Sequence, residues 1–212
     1  MSKILNILLL FILFQAPVLA SEIGDGEKFQ NNQYDSRLAF KLLNDLANKG
    51  NSDAQYLAGK MYLSGQGVFS DSIEAIKWFR LSAVQGNSAA QSELGLAMHL
   101  GYTGEKNYKE ALKWLLLASQ KGNIRAQYRL GMAYYQGIAR TKPDYTEAIK
   151  WLKVAANNGH RTAQSDLGFF YDNGEIVERD NKEAILWYQK AASQGDDIAK
   201  KRLNEMNVKL ND

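Results

Sequence analysis

AQYLAGKMYLSGQGVFSDSIEAIKWFRLSAVQG, residues 54–86, is written three more times along the chain with variations, and in part at both ends. Alanines recur at Ala54, Ala90, Ala126, Ala163 and Ala199, at steps of 36, 36, 37 and 36 residues. Glycines keep the same step at Gly50, Gly86, Gly122, Gly159 and Gly195, and a second series runs Gly59, Gly95, Gly131, Gly168. All four tryptophans obey the period: Trp78, Trp114, Trp151 and Trp187. A fixed step of this size is the sequence signature of a solenoid of stacked units. A solenoid presents a surface, and its periodicity says little about what that surface meets.

Each full repeat reads as two helices. Helix A begins at Asn51, Asn87, Asn123, His160 and Asp196. Asn and Asp there accept a bond from an otherwise unpaired backbone N–H. It ends near Gly65, Gly101, Gly137 and Gly174, where glycine closes a helix in the left-handed conformation. Helix B starts at Asp71, Asn107, Asp144 and Asp180, each with a glutamate three residues on: Glu74, Glu110, Glu147 and Glu183. That pattern predicts a capping box, with cap and glutamate each satisfying a backbone donor of the other. The immediate restart after each closing glycine makes consecutive helices antiparallel. The one extra residue of the third repeat falls near Thr141-Lys142-Pro143, in a loop that absorbs it.

A glycine inside a helix costs about 1 kcal/mol relative to alanine. Four at one phase need a packing reason, and close approach of helix A to helix B supplies it, with Gly95 expected to face Ala111. The tryptophans then fill the wider space between repeats, as buried aromatics do; a ligand platform is the alternative for such a ladder.

Outward from the repeats, residues 1–20 (MSKILNILLLFILFQAPVLA) carry Lys3, an apolar run from Ile4 to Phe14, and Val18-Leu19-Ala20. This is the pattern of a secretory signal peptide, cleaved after Ala20. The alternative, a retained anchor, needs roughly 20 apolar residues, and this run is shorter. The expected location is therefore periplasmic or secreted, with no membrane insertion after cleavage. Residues 21–34 are polar, lack an apolar stripe and read as a flexible lead. A half-repeat follows at 35–50, then repeats at 51–86, 87–122, 123–159 and 160–195. A capping helix at 196–206 and a tail at 207–212 complete the chain.

Composition narrows the function. The 212 residues carry a formal charge of +3, and the first 20 hold one lysine and no acid. No basic run stands out, which argues against nucleic acid. There is no cysteine, so disulfides, cysteine-ligated zinc and thiol catalysis are excluded. No H-E-x-x-H, G-x-S-x-G, phosphate-binding loop, EF-hand or S-x-x-K motif is present. The two histidines, His99 and His160, read as a contact residue and a helix-start surface residue. The expectation is a non-enzyme without cofactor or metal.

The pattern A-Q-x-x-L-G-x-x-Y-x-x-G, then D-x-x-E-A-x-x-W, then A-x-x-G-N resembles the Sel-one-like repeat (SLR) family, longer relatives of the tetratricopeptide repeat with its period of 34. The resemblance spans residues 35–206. The G-x-G-V loop of that family stands intact only as Gly65-Gln66-Gly67-Val68. The cysteine pairs of many exported SLR proteins are absent. The resemblance implies an all-α, right-handed superhelical solenoid of antiparallel helix pairs and a role in protein–protein interaction, often as an adaptor. Some periplasmic SLR proteins neutralise toxins, so an immunity or inhibitor role is a second expectation. A cell-wall or β-lactam hydrolase is a remote third.

In tetratricopeptide-like units helix A lines the inner wall. One stripe of the third repeat, Ala126, Leu130, Ala133 and Tyr134, forms the core face. Tyr128, Met132 and Tyr135 fall on another face. The same register carries Tyr56, Lys60 and Leu63 in the first repeat, Leu96 and His99 in the second, and Phe169 and Asp172 in the fourth. These ten residues are the candidate groove for a protein or peptide partner. The competing reading is that they pack against the next helix A.

Overall fold

A computed structural model describes residues 25–102, 107–137 and 142–208, with side chains from Ser36 onward. The expected signal peptide and the end of the tail lie outside the described residues. Among those residues the protein is all-α, with ten helices and no strand. The helix-B series comprises α1 (Asp25–Asn48), α3 (Ser72–Val84), α5 (Tyr108–Gln120), α7 (Tyr145–Asn157) and α9 (Asn181–Ser193). The helix-A series comprises α2 (Ser52–Ser64), α4 (Ser88–Leu100), α6 (Ile124–Gln136), α8 (Arg161–Asn173) and α10 (Asp197–Glu205). The chain divides into two compact units, residues 1–90 and 91–212.

Helix α1 corrects one expectation. The segment 21–34 reads as a flexible lead, yet the helix starts at Asp25. Beyond Gly26 nothing up to Asn48 breaks a helix, and extending a formed helix is far easier than nucleating one.

In the first unit, Leu43, Ala47, Ala54, Ala58, Met61 and Trp78 form a core drawn from α1, α2 and α3. A Cβ built on Gly59 would stand 2.7 Å from the Phe79 ring, so only hydrogen fits where α2 meets α3. The Gly65–Val68 loop keeps its second glycine for a similar reason. Gly67 has φ +73° and lies against the backbone of Ser36, where a Cβ would collide with the carbonyl.

The second unit repeats these devices. Gly95 lies on Leu115, Gly131 on Leu152 and Gly168 on Tyr188, each partner being the residue after the tryptophan. The expected Gly95–Ala111 approach is present as well, through the Ala111 carbonyl. Along α8 and α9, Gln164 meets Gln194, Gly168 meets Tyr188 and Tyr171 meets Asp180, so the pair runs antiparallel. Leu130, Leu152 and Leu167 are fully buried, with Ala126, Ala155 and Ala163 packed among them. Burying a leucine side chain contributes about 1.5–3 kcal/mol, which exceeds the cost of one helical glycine.

The capping box is half realised. The Asp71, Asn107, Asp144 and Asp180 side chains accept the expected N–H bonds of the first turn. Their own backbone N–H groups, however, donate to Tyr62, Met98, Tyr134 and Tyr171 carbonyls of the preceding helix A, at 2.9–3.2 Å. In the second, third and fourth repeats this leaves the glutamates for the tryptophans, while Glu74 of the first pairs with Lys77. The indole Nε1 donates to Glu110 from Trp114 (3.3 Å), to Glu147 from Trp151 (3.1 Å) and to Glu183 from Trp187 (3.0 Å).

A second network ties helix A to the helix B before and after it. Gln55 Nε2 donates to the Ala47 carbonyl at 3.1 Å, Gln127 to Ser119 at 3.3 Å, and Gln164 to Ala156 at 2.9 Å. Their Oε1 atoms accept from Gln85, Asn158 and Gln194 at 2.7–2.9 Å. All three glutamines are buried, where a satisfied amide is held firmly and an unsatisfied one is costly.

Replacing Gly131 by Leu should lower the melting temperature, because a first side-chain atom would already lie 2.8 Å from Leu152 Cγ. Overpacking of this kind costs about 1–3 kcal/mol. Thermal melts followed by circular dichroism would read it, and an unchanged midpoint would overturn the close approach.

Candidate functional site

In the first unit the candidate stripe lies along α2. Tyr56 is half-buried with its ring 5.9 Å from Phe79, while Lys60 and Leu63 are exposed. In the second unit the structure gathers Leu96 and His99 of α4 with Tyr128 and Met132 of α6. Together with Leu115, Arg129, Ala133 and Gln136 they line a cavity of about 220 Å³. Its walls are largely apolar, and His99 and Arg129 are polar points on them. The His99 ring also lies 5.7 Å from Tyr108.

The other candidates lie apart from that cavity. Tyr135 rests against Phe170 at 5.1 Å, and its hydroxyl donates to Glu175 at 3.3 Å. Phe169 is partly exposed beside Phe170, and Asp172 forms a long 4.0 Å ion pair with Arg179. Tyr128 and Tyr135 thus reach the following repeat and carry packing between units of the array. Their size alone does not mark them as free contact residues.

Tyr128 sits at a junction. Its ring stacks on His160 with centroids 4.4 Å apart and planes 16° apart, and its hydroxyl donates to the Asp166 carboxylate. His160 is the N-cap of α8, and its Nδ1 accepts from the Ala163 N–H at 3.2 Å. That bond requires a neutral ring protonated on Nε2. Burial, followed by the nearby Arg125 and Arg129 guanidiniums, lowers its pKa and favours that form. Burial also pushes the Asp166 carboxyl up to about 6, against the opposing bond from Tyr128 and with a further push from Asp196.

Beyond the Tyr128–His160 stack lies a second, more open cavity of about 430 Å³. It is formed by the starts of α6 and α8 and the end of α9, with Arg125, His160, Arg161, Thr162 and Gln194 in its walls.

The sequence reading missed Arg129, Leu115 and Gln136 in the first cavity and all of the second. A signal for Arg129 was present. Leu57, Glu93, Arg129 and Asp166 share one register, and the charge changes sign from one repeat to the next. Arg129 donates to the Ser92 carbonyl at 2.9 Å and its hydroxyl at 2.8 Å, and pairs with Glu93 at 3.4 Å. No comparable periodic signal marks the second cavity, because Arg125 and Arg161 occupy different registers. Among the described residues, no group of three or more His, Cys, Asp or Glu is placed to hold a metal ion, and no helix is long and apolar enough to cross a membrane.

The Asp166 geometry has a measurable consequence. A carboxyl whose folded pKa is raised from 3.8 to about 6 stabilises the fold most below the unfolded value. That contribution is lost as pH rises through the folded value. Asp166→Asn keeps an acceptor for Tyr128 and removes the buried charge. The variant should melt several degrees above the parent at pH 7, since about 1 kcal/mol corresponds to ~2–4 °C in a chain of this size. Its advantage should shrink at pH 4.5. A lower midpoint than the parent at pH 7 would contradict the assignment.

Comparison with known proteins agrees with this architecture. A Sel1 repeat family model matches residues 52–87, 88–123, 124–160 and 162–196. A Sel1 repeat protein from Oxalobacter formigenes is similar in structure, with 33% sequence identity and a TM-score of 0.76, over 82% of this chain and 71% of that one. The protective antigen c5321 of uropathogenic Escherichia coli, which displays an SLR fold, matches at 27% identity and TM-score 0.54, over 83% of this chain and 46% of its own. Immunity protein Pa5087 from Pseudomonas aeruginosa matches at 21% identity and TM-score 0.50, over 74% of this chain and 58% of its own, a likeness of fold alone. No curated protein matches the sequence. With four matched repeats across most of its length, the chain belongs to the Sel1 repeat family, whose members generally serve as protein-interaction modules.

Proposed function

We propose that this chain is an exported, non-catalytic interaction module that seats a segment of a protein or peptide partner on the face formed by successive A helices. One observation carries the reading: the apolar cavity of about 220 Å³ between α4 and α6. Leu96, Met132 and Leu115 supply its apolar surface, and His99 and Arg129 can fix the orientation of a bound chain. Pockets of this make-up, mostly apolar with a few placed polar groups, are where ligands bind. Tyr56, Lys60 and Leu63 hold the same register in the first unit, and Phe169 and Asp172 hold it in the fourth repeat. Phe169 and Asp172 extend the proposed contact surface within the second unit, and the first-unit residues form a candidate contact surface of their own.

The signal pattern of residues 1–20 places this activity outside the cytoplasm in the proposal. As an adaptor the module would join partners; as an immunity protein the seated segment would belong to a toxin. A toxin gene beside this one would favour the second role.

Two experiments test these points. Intact mass of exported protein should correspond to a chain starting at Ser21, and a retained N-terminus in the membrane fraction would count against cleavage. Peptides selected from a random display library on the full chain should lose at least ~10-fold in affinity on Met132→Trp, which fills the cavity. That loss corresponds to about 1.4 kcal/mol. Selected peptides that bind the variant as tightly as the parent would rule the cavity out.

A further inference from the structure

Two cavities of opposite character share one wall in the second unit. The apolar cavity is bounded by Tyr128 and the open one by His160, and these two rings are stacked at 4.4 Å. A segment seated in the first therefore passes close to the second. About two or three residues of extended chain would bridge them, at ~3.3–3.6 Å per residue.

The open cavity has one sign of charge. Arg125 and Arg161 stand in its wall, and no acidic side chain lines it. Arg125 has no ion-pair partner among the described residues. Arg161 is more than half exposed, and its nearest carboxylate, Asp196, lies at 3.9 Å. Its other contact is a long 3.4 Å bond to the Gln194 carbonyl. Such weak engagement leaves the guanidinium donors available for a planar carboxylate, the group they match in a bidentate fork. The α6 and α8 starts in the same wall add partial positive charge. The same field reaches His160, whose pKa the Arg125 and Arg129 guanidiniums lower after burial.

We propose that the cavity at Arg125 and Arg161 is a carboxylate site, and that the partner segment carries an Asp or Glu within about three residues of the apolar side chain it places between α4 and α6. The inference rests on the peptide-binding reading above and names the class of segment: short, acidic and anchored by one apolar residue. The Tyr128–His160 stack is the divider that sets the spacing between the two anchors. Exposed arginines give modest affinity and more discrimination, because an uncharged segment leaves them without a partner.

The probe is a random dodecapeptide library displayed on phage and selected on the full chain, with the enriched peptides resynthesised and labelled with fluorescein. The expected winners carry Asp or Glu within three residues of Leu, Met or Phe. Arg125→Glu with Arg161→Glu should weaken them by ~10-fold or more. Their Asn and Gln analogues should bind the parent correspondingly less well and be insensitive to the arginine changes, the coupling that a double-mutant cycle measures. Arg125→Ala with Arg161→Ala, which adds no repulsion near Asp196, repeats the test where the reversal disturbs α8. Winners without acidic residues, or acidic winners indifferent to both arginine pairs, overturn the carboxylate site. Where those same winners still fail on Met132→Trp, the apolar groove stands and only the carboxylate site falls. Winners that need the arginines but ignore Met132→Trp overturn the groove and the pairing with it.

Discussion

A hydrogen atom where other residues carry a side chain sets the separation of the two helices in each repeat. At Gly59, Gly95, Gly131 and Gly168 the partner helix lies so near that a Cβ would fall within 2.5–2.8 Å of a side chain. The remaining contacts follow from that distance. Three residues further on, a carbonyl of helix A comes within reach of the cap N–H that opens helix B. In the second, third and fourth repeats the glutamate that would otherwise close a capping box is released to hold the tryptophan indole one turn along. A conformational penalty of about 1 kcal/mol per glycine thus fixes a buried aromatic or leucine, a helix start and an indole at once.

The same closeness shapes the candidate site. Because the core face of α6 is consumed by Ala126, Leu130 and Ala133, the neighbouring face is left to Tyr128 and Met132. Tyr128 is divided between two tasks. Its ring closes one cavity and supports His160, while its hydroxyl meets the Asp166 carboxylate, which burial and the nearby Asp196 hold above its ordinary pKa. Buried charge of this kind destabilises the fold and is the sort of feature that accompanies functional sites as well as structural networks. The nearby Arg129 is committed to Ser92 and Glu93, whereas Arg161 of the second cavity is held only by long contacts to Asp196 and Gln194.

The Asn and Asp helix caps and the tight glycines were legible in the sequence, because each rests on local chemistry repeated at a fixed step. Two kinds of feature were not. The glutamine network was visible as a recurrent letter, but its partners lie 8 residues before and about 30 after it, and no local rule predicts bonds of that span. The stripe of ten candidate residues rests on register alone. Register cannot distinguish Met132, which lines the apolar cavity, from Tyr135, which leans on Phe170. The onset of α1 at Asp25 was not legible either, because residues 25–34 carry no apolar stripe and yet, beyond Gly26, hold nothing that breaks a helix.

The glutamine bonds bear on how such a chain can change its length. Gln55, Gln127 and Gln164 each draw on a carbonyl from the repeat before and are met by an amide from the end of their own repeat, whereas the second repeat has Lys121 where the others end in Gln or Asn. The repeats that precede Gln55, Gln127 and Gln164 therefore end by offering the acceptor that the next one needs. A duplicated or excised segment of one full period leaves no donor stranded at its seams, whereas a cut of any other length strands buried amides on both sides. Gene duplication in whole-repeat steps is thus structurally silent here, and natural variation in repeat number across such arrays would be expected to come in those steps alone.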